Sequence, residues 1–188
     1  GVDGGLKFCY DHKIVPTRIV GDFDTLSPEI LTWYKKNTQI EIREYNPVKD
    51  ATDTQIAVEL ALSLGSDHVT ILGGTGTRLD HVLGNIQTLY LPFAKGIDCR
   101  IVDAHNRIRL VSGELHLKMT EQWGKYVSLI PFTTDVEGVD LIGFKYPLEK
   151  FSFTVLGTGS RGVSNEIEEE EAVIRIEKGI MILVESKD

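Results

Sequence analysis

The spacing of apolar positions along the chain changes near residue 104. Before that point, short apolar runs alternate with stretches whose apolar residues recur every three to four positions, the pattern of βαβ units around a mostly parallel sheet. Strands are predicted at residues 18–20, 40–45, 68–72 and 98–102. A first helix is predicted from Ser27-Pro28-Glu29 to about Lys36, because serine suits the N-cap and proline the first helical position, where no backbone bond is lost. A second has Thr52 and Gln55 spaced as a capping box, then Ile56, Ala57, Leu60, Ala61 and Leu64 on one face and Gly65 as its stop. A third starts near Asp80, presents Val82, Leu83, Ile86 and Leu89, and ends before Pro92. Residues 1–5 read as the end of a strand entering a turn, and because the chain opens on Gly1, an upstream segment is expected.

Beyond residue 104 the helical period disappears. Runs at 108–111, 126–130, 151–156 and 172–176 are separated by Gly, Pro, Asp and Asn, which predicts an antiparallel sandwich or barrel. Lys178-Gly179, between 173–176 and 180–184, predicts a hairpin turn. Two domains are therefore expected, 1–104 and 105–188. The glutamate-rich run 166–171 reads as a solvated loop or an edge that deters pairing, since its carboxylates are sequential rather than convergent.

Composition adds exclusions. The apolar and charged fractions are those of an ordinary globular protein, and no apolar run reaches the roughly 20 residues of a membrane helix. No signal segment opens the chain, so a cytoplasmic location and no membrane partner are expected. Cys9 and Cys99 lack metal-ligand spacing and read as reduced packing residues. A formal charge of -8 with no Lys/Arg stripe argues against a nucleic-acid partner.

Three acidic segments carry the candidate chemistry: Asp22-Phe23-Asp24, Asp50 to Asp53 beside Lys49, and Asp80-His81 after a glycine-rich loop. Each follows a predicted strand, and the carboxyl ends of strands in an α/β sheet open onto one crevice. Converging carboxylates with a nearby Lys and Arg suit a magnesium-bound polyphosphate. Asp22 and Asp24 flank one residue of an extended segment, so both carboxylates can meet one divalent ion, or else serve as helix-capping acids. Phosphatases of the haloacid dehalogenase class also place two Asp at this spacing, with Thr or Val two residues beyond the second; here Leu26 occupies that place. Asp53 is a third candidate ligand, or a stabiliser of its helix dipole, and Lys49 a phosphate contact or a surface cation. The loop Gly73-Gly74-Thr75-Gly76-Thr77 lets backbone amides approach phosphate oxygens, yet it lacks both the P-loop ending and the third glycine of the dinucleotide fingerprint. Arg78 can clamp phosphate bidentately, and Asp80 can cap the helix or orient metal-bound water. His81 and Asn85 are ambiguous between ligand contact and structural hydrogen bonding.

Together, Asp3-Gly4-Gly5, Gly21-Asp22-Phe23-Asp24-Thr25, Lys49 to Asp53, Gly73 to His81 and Ser164-Asn165 resemble the thiamine pyrophosphokinase family in order and spacing. The resemblance covers nearly the whole chain. It implies a three-layer α/β domain that handles ATP, a β-sandwich that helps bind thiamine, and a homodimer. It also implies transfer of the pyrophosphate of ATP to the hydroxyl of thiamine, releasing AMP. On this likeness Asp22, Asp24 and Asp53 form the magnesium site with Asp3 nearby, and Lys49, Thr52 and Arg78 contact phosphate. Asp80 is an acidic position of the same crevice. Gly74, Thr75, Gly76, Thr77, His81 and Asn85 belong to the nucleotide side, and Ser160, Ser164 and Asn165 contact thiamine. A strand, a helix and a second strand are implied ahead of Asp3; the chain supplies almost none of them. Thr25 replaces the usual serine and keeps its hydroxyl, and Trp123 is a candidate to stack on thiamine. Two other readings remain: a metal-dependent phosphatase with Asp22 as nucleophile, and a non-catalytic thiamine- or nucleotide-binding module.

Overall fold

Apolar residues at 6, 19, 23, 26, 30 and 34 collect into one core, which organises the first of two compact units, 1–67 and 68–188, in a computed structural model that describes residues 1–46 and 51–188. In this unit β1 (Arg18–Gly21) and β2 (Glu41–Glu44) pair in parallel, with Ile19 opposite Ile42. Val2 forms an isolated parallel bridge to Val20, and residues 3–4 turn into α1 (Gly5–Asp11). The sequence pattern gives no sign of α1: it opens on glycines, has no side-chain cap, and buries only Leu6. α2 (Pro28–Asn37) starts with proline as expected, although Ser27 makes no side-chain cap bond. Its Tyr34 is fully buried and donates its hydroxyl to the Ile14 carbonyl at 2.9 Å, which resolves the polar end of a core aromatic.

The second predicted helix is α3 (Asp53–Ser63), capped by Thr52, whose Oγ1 accepts from the Gln55 amide at 3.2 Å. Only half of the capping box forms, because the Gln55 side chain donates forward to Glu59 instead. Within the helix, the buried residue is Val58, off the expected apolar face, and Leu64 is exposed.

The 68–188 unit begins with β3 (His68–Leu72), α4 (Leu79–Thr88), a single turn α5 (Tyr90–Phe93) and β4 (Asp98–Val102), with β3 and β4 parallel. β5 (Asn106–Lys118) then runs antiparallel to β4, so the parallel pair and the β-rich part share one sheet. β6 (Tyr126–Pro131), β7 (Asp135–Ile142), β8 (Leu148–Thr154), β9 (Asn165–Glu166) and β10 (Glu171–Ser186) complete it. β10 pairs with β5 through both of its halves, 171–176 and 181–186, while its other edge pairs with β7 in the first half and β6 in the second. The long strand therefore holds two lobes together, around a core that includes Val136, Phe153, Ile174, Met181 and Leu183.

The predicted hairpin at Lys178-Gly179 is not formed. Ile176 faces Gly113 and Met181 faces Val111, so the chain continues along the same partner after a bulge rather than reversing. Gly179, with φ near +99°, absorbs the bend, and a Cβ there would lie 2.8 Å from the Asp135 carbonyl oxygen. The run after Glu166 is exposed at 168–171, as expected of a solvated segment.

Candidate active site

The acidic pair at the end of β1 is joined by a third carboxylate. Asp3, Asp22 and Asp24 each offer an oxygen, and all three oxygens lie within 4.8 Å of one another. They do not converge by alternation along an extended strand. β1 ends at Gly21, and Phe23 takes a left-handed turn with φ near +59°, strain for an aromatic residue that burial of its ring at 8% exposure offsets. The Asp24 amide donates back to Asp22 Oδ1 at 3.3 Å, closing the turn. Asp3 reaches the pair because its amide donates to the Val20 carbonyl at 2.9 Å and because position 21 is glycine. A Cβ at Gly21 would sit 3.1 Å from the Asp3 amide nitrogen and Cα.

The electrostatics of this cluster suit a cation. The charge of Asp22, followed by desolvation and the charge of Asp3, pushes the Asp24 carboxyl above the usual range. Thr25 Oγ1 donates to Asp3 Oδ2 at 2.9 Å, while Asp3 Oδ1 is buried with no hydrogen-bond partner among the described residues. A buried, unpartnered carboxylate oxygen beside two further carboxylates is the donor set of a hard divalent ion. The residues present therefore fit magnesium. Asp53 stands at the first position of α3 and is not a member of this group; Thr52 is its cap. Lys49 lies outside the described residues.

In the 68–188 unit, the glycine loop is tied down from below. Gly73 has φ near +74°, and the buried Asn85 donates Nδ2 to the Gly74 carbonyl at 2.9 Å. A Cβ on Gly74 would meet Ile71 and Ile101 at 3.1 Å, so glycine lets the loop lie close over the sheet. Thr75 Oγ1 donates to Asp103 Oδ2 at 2.5 Å. Asp103 also accepts from the amides of His105 and Asn106 at 2.7 and 2.6 Å and from the Asn106 side chain at 3.1 Å. Burial works against its charge, but the Thr75 and Asn106 side chains and the two amides outweigh it and hold the carboxyl at about 2.

Sequence reasoning missed Asp103. The signal was present, since it follows β4 directly, as Asp22 follows β1. Gly76 and Thr77 are exposed, and Arg78 stands at the N-cap of α4. Arg78 donates in a fork to Asp80, at 3.2 and 2.7 Å, and Asp80 Oδ1 also accepts the His81 amide at 3.0 Å. The pairing lowers the Asp80 pKa and raises that of Arg78. Both side chains stay about two-thirds exposed, at 68% and 65%, so the guanidinium is oriented yet accessible to a ligand.

The late polar positions divide. Ser160 lies in a short 3₁₀ turn (Gly159–Gly162) and is exposed, as is Ser164, which has φ near +61° and an amide that donates to Ser128 Oγ. Asn165 is buried, and its amide is occupied: Oδ1 accepts from the Tyr146 and Glu166 amides, and Nδ2 donates to the Tyr146 carbonyl at 2.8 Å. It fastens the chain at Tyr146. Trp123 is half-buried, with its indole nitrogen unpartnered among the described residues.

Two family profiles match this chain: "Thiamin pyrophosphokinase, catalytic domain" over residues 1–101 and "Thiamin pyrophosphokinase, vitamin B1 binding domain" over 113–181. Thiamine pyrophosphokinase from Bacillus subtilis is 35% identical over 189 residues, covering 100% of this chain and 86% of that protein. The crystal structure under that name from the same organism superposes with a TM-score of 0.90 at 34% identity, over 100% of this chain and 86% of that one. The thiamin pyrophosphokinase structure from Geobacillus thermodenitrificans gives 0.87 at 30% identity, over 100% and 85%.

Proposed function

We propose a chemistry for this chain from the premise that it belongs to the thiamin pyrophosphokinase family and is an enzyme with thiamine pyrophosphokinase activity. ATP is its phosphoryl substrate. The hydroxyethyl oxygen of thiamine attacks the β-phosphorus of ATP, the bond from that phosphorus to the α-phosphate oxygen breaks, and AMP leaves as thiamine diphosphate forms. The hydroxyl proton passes to a base or to water.

The carboxylate cluster with its orphaned Asp3 oxygen carries the proposal. Asp3, Asp22 and Asp24 would hold magnesium, which when bound neutralises polyphosphate charge. Thr25 fixes the Asp3 carboxylate through its other oxygen, and Phe23 holds the two flanking aspartates at their turn. Arg78 contacts phosphate oxygens with its fork of donors, held ready by Asp80. The depressed pKa of Asp80 makes it a weak base, so we assign it to orienting Arg78. The amides of the Gly73–Thr77 loop, steadied by Asn85 and Asp103, receive phosphate oxygens, with Lys49 and Thr52 as further phosphate contacts and Asp53 as an additional acid of the site. Ser160 and Ser164 contact thiamine, and Asn165, whose amide is spent on Tyr146 and Glu166, anchors the chain next to Ser164. Most of the rate enhancement then comes from positioning and charge neutralisation.

We further propose division into a catalytic domain to residue 104 and a thiamine-binding domain beyond it, supported by the extents of the two family profiles. A homodimer in the cytoplasm completes the proposal. Among the described residues no helix is long and apolar enough to cross a membrane. The phosphatase and non-catalytic readings are not favoured by the family the chain belongs to. Product analysis tests the chemistry: with magnesium, ATP and thiamine the chain should yield thiamine diphosphate and AMP in equal amounts. ADP with thiamine monophosphate would overturn attack at the β-phosphorus.

A further inference from the structure

Within the 68–188 unit a cavity of about 170 Å³ is bordered by residues of β4, β5 and β10. Its lining carries Arg100, Arg107, Arg109 and Lys118 against two carboxylates, Glu121 and Glu185, in a chain whose formal charge is -8. Three of the cations are spoken for. Arg100 pairs with Asp98 at 2.6 Å, Arg107 with Glu185 at 2.6 Å and Lys118 with Glu121 at 3.2 Å.

Arg109 differs from these. No salt bridge or hydrogen bond engages its side chain among the described residues, and its Nε is buried without a partner. Desolvation, then the neighbouring charge of Arg100, pulls its pKa below the usual value against the opposing charges of Glu185 and Asp98. Gln122, also in the lining, has its buried Oε1 unpartnered among the described residues. A desolvated guanidinium donor with nothing to donate to is costly unless an acceptor arrives. The cavity is too small for a nucleotide, since ligand pockets of that kind start near roughly 300 Å³. It has room for a compact ion and a few waters, at about 30 Å³ per water.

We propose that this cavity binds a small tetrahedral oxyanion of the inorganic phosphate or sulfate class, gripped by the Arg109 fork. The oxyanion supplies charge-assisted acceptors to Arg109 and offsets its repulsion with Arg100. This inference does not depend on the transferase chemistry, because none of these residues is assigned to it.

Trp123 provides the local reporter, because its backbone amide donates to Glu185 Oε1 on the cavity wall at 3.2 Å. In a Trp33→Phe chain, where Trp123 is the only tryptophan, phosphate is titrated against chloride at constant ionic strength. A saturable change in emission is expected, with sulfate acting likewise, and a melting temperature raised by about 3 °C at tenfold excess over Kd. Arg109→Met should abolish the emission change and retain thiamine pyrophosphokinase activity. Arg109→Lys, which keeps the charge but loses the fork, should bind at least tenfold more weakly while remaining folded. An undiminished response in both variants would place the anion elsewhere and overturn the inference. So would no response in the Trp33→Phe chain, including the case in which Arg109→Met dissociates a dimer and the cavity proves to receive a carboxylate from a second copy.

Discussion

Asp103 ties the end of β4 to the glycine loop, and replacing it with asparagine isolates the value of its charge. The fall of its carboxyl from 3.8 to about 2 corresponds to ~2.4 kcal/mol in favour of the ionised folded form, at about 1.4 kcal/mol for each tenfold change in proton affinity. Asp103 is only part-buried, so solvent screening reduces this to about 1 kcal/mol. A carboxylate whose pKa is depressed on folding stabilises the fold above its unfolded value near 3.8, and that contribution disappears as pH falls through about 2. Asp103→Asn should therefore unfold in urea with stability lower by about 1 kcal/mol at pH 7. The difference from the parent should shrink steadily below pH 4 and vanish near pH 2. Because Thr75 then loses its anionic acceptor, KM for ATP should rise while kcat changes less. A variant within about 0.3 kcal/mol of the parent at pH 7, or a gap independent of pH, would refute the argument that Asp103 acts through its charge.

The carboxylate cluster makes an opposite prediction. The raised pKa of Asp24 means that the folded chain holds that proton more tightly, so the associated stability is present below pH 3.8 and is lost as pH rises through the folded value. At neutral pH, magnesium should therefore raise the melting temperature of the parent, measured by differential scanning fluorimetry. Asp24→Asn should raise it without metal, remove the magnesium response and abolish turnover; near-normal rates would take Asp24 out of the metal site. Glu185, with 0% exposure, is bonded bidentately to Arg107, and Glu185→Gln leaves that guanidinium without its counter-charge. Denaturation should show a loss of about 3–5 kcal/mol, the usual cost of breaking a buried pair by removing one partner.

Much of the fold was legible because it is written locally. β3 and β4 fall at the predicted residues, Pro28 starts α2, and Thr52 caps α3, since period-two runs and capping residues act over a few positions. The acidic pair after β1, the glycine loop and Arg78 were legible for the same reason. Their order and spacing also pointed to the family. α1 escaped notice because a glycine start and one buried leucine leave no period to read. The hairpin expected at Lys178-Gly179 failed because glycine marks a bulge as readily as a reversal. The choice lay with β5, which can pair with both halves of β10.

The chain by itself determined its element types, its candidate chemistry and the family to which it belongs. Tertiary structure decided how those residues meet. Asp3 joins Asp22 and Asp24 because Gly21 admits its backbone and a buried Phe23 holds a left-handed turn. Thr75 finds Asp103 across 28 positions, Asn165 spends its amide on Tyr146, and Arg109 is left half-buried, its Nε without an acceptor among the described residues. Local propensity has a reach of a few residues, whereas these contacts depend on strand register and on the desolvation that packing imposes, which exist only once distant segments are side by side.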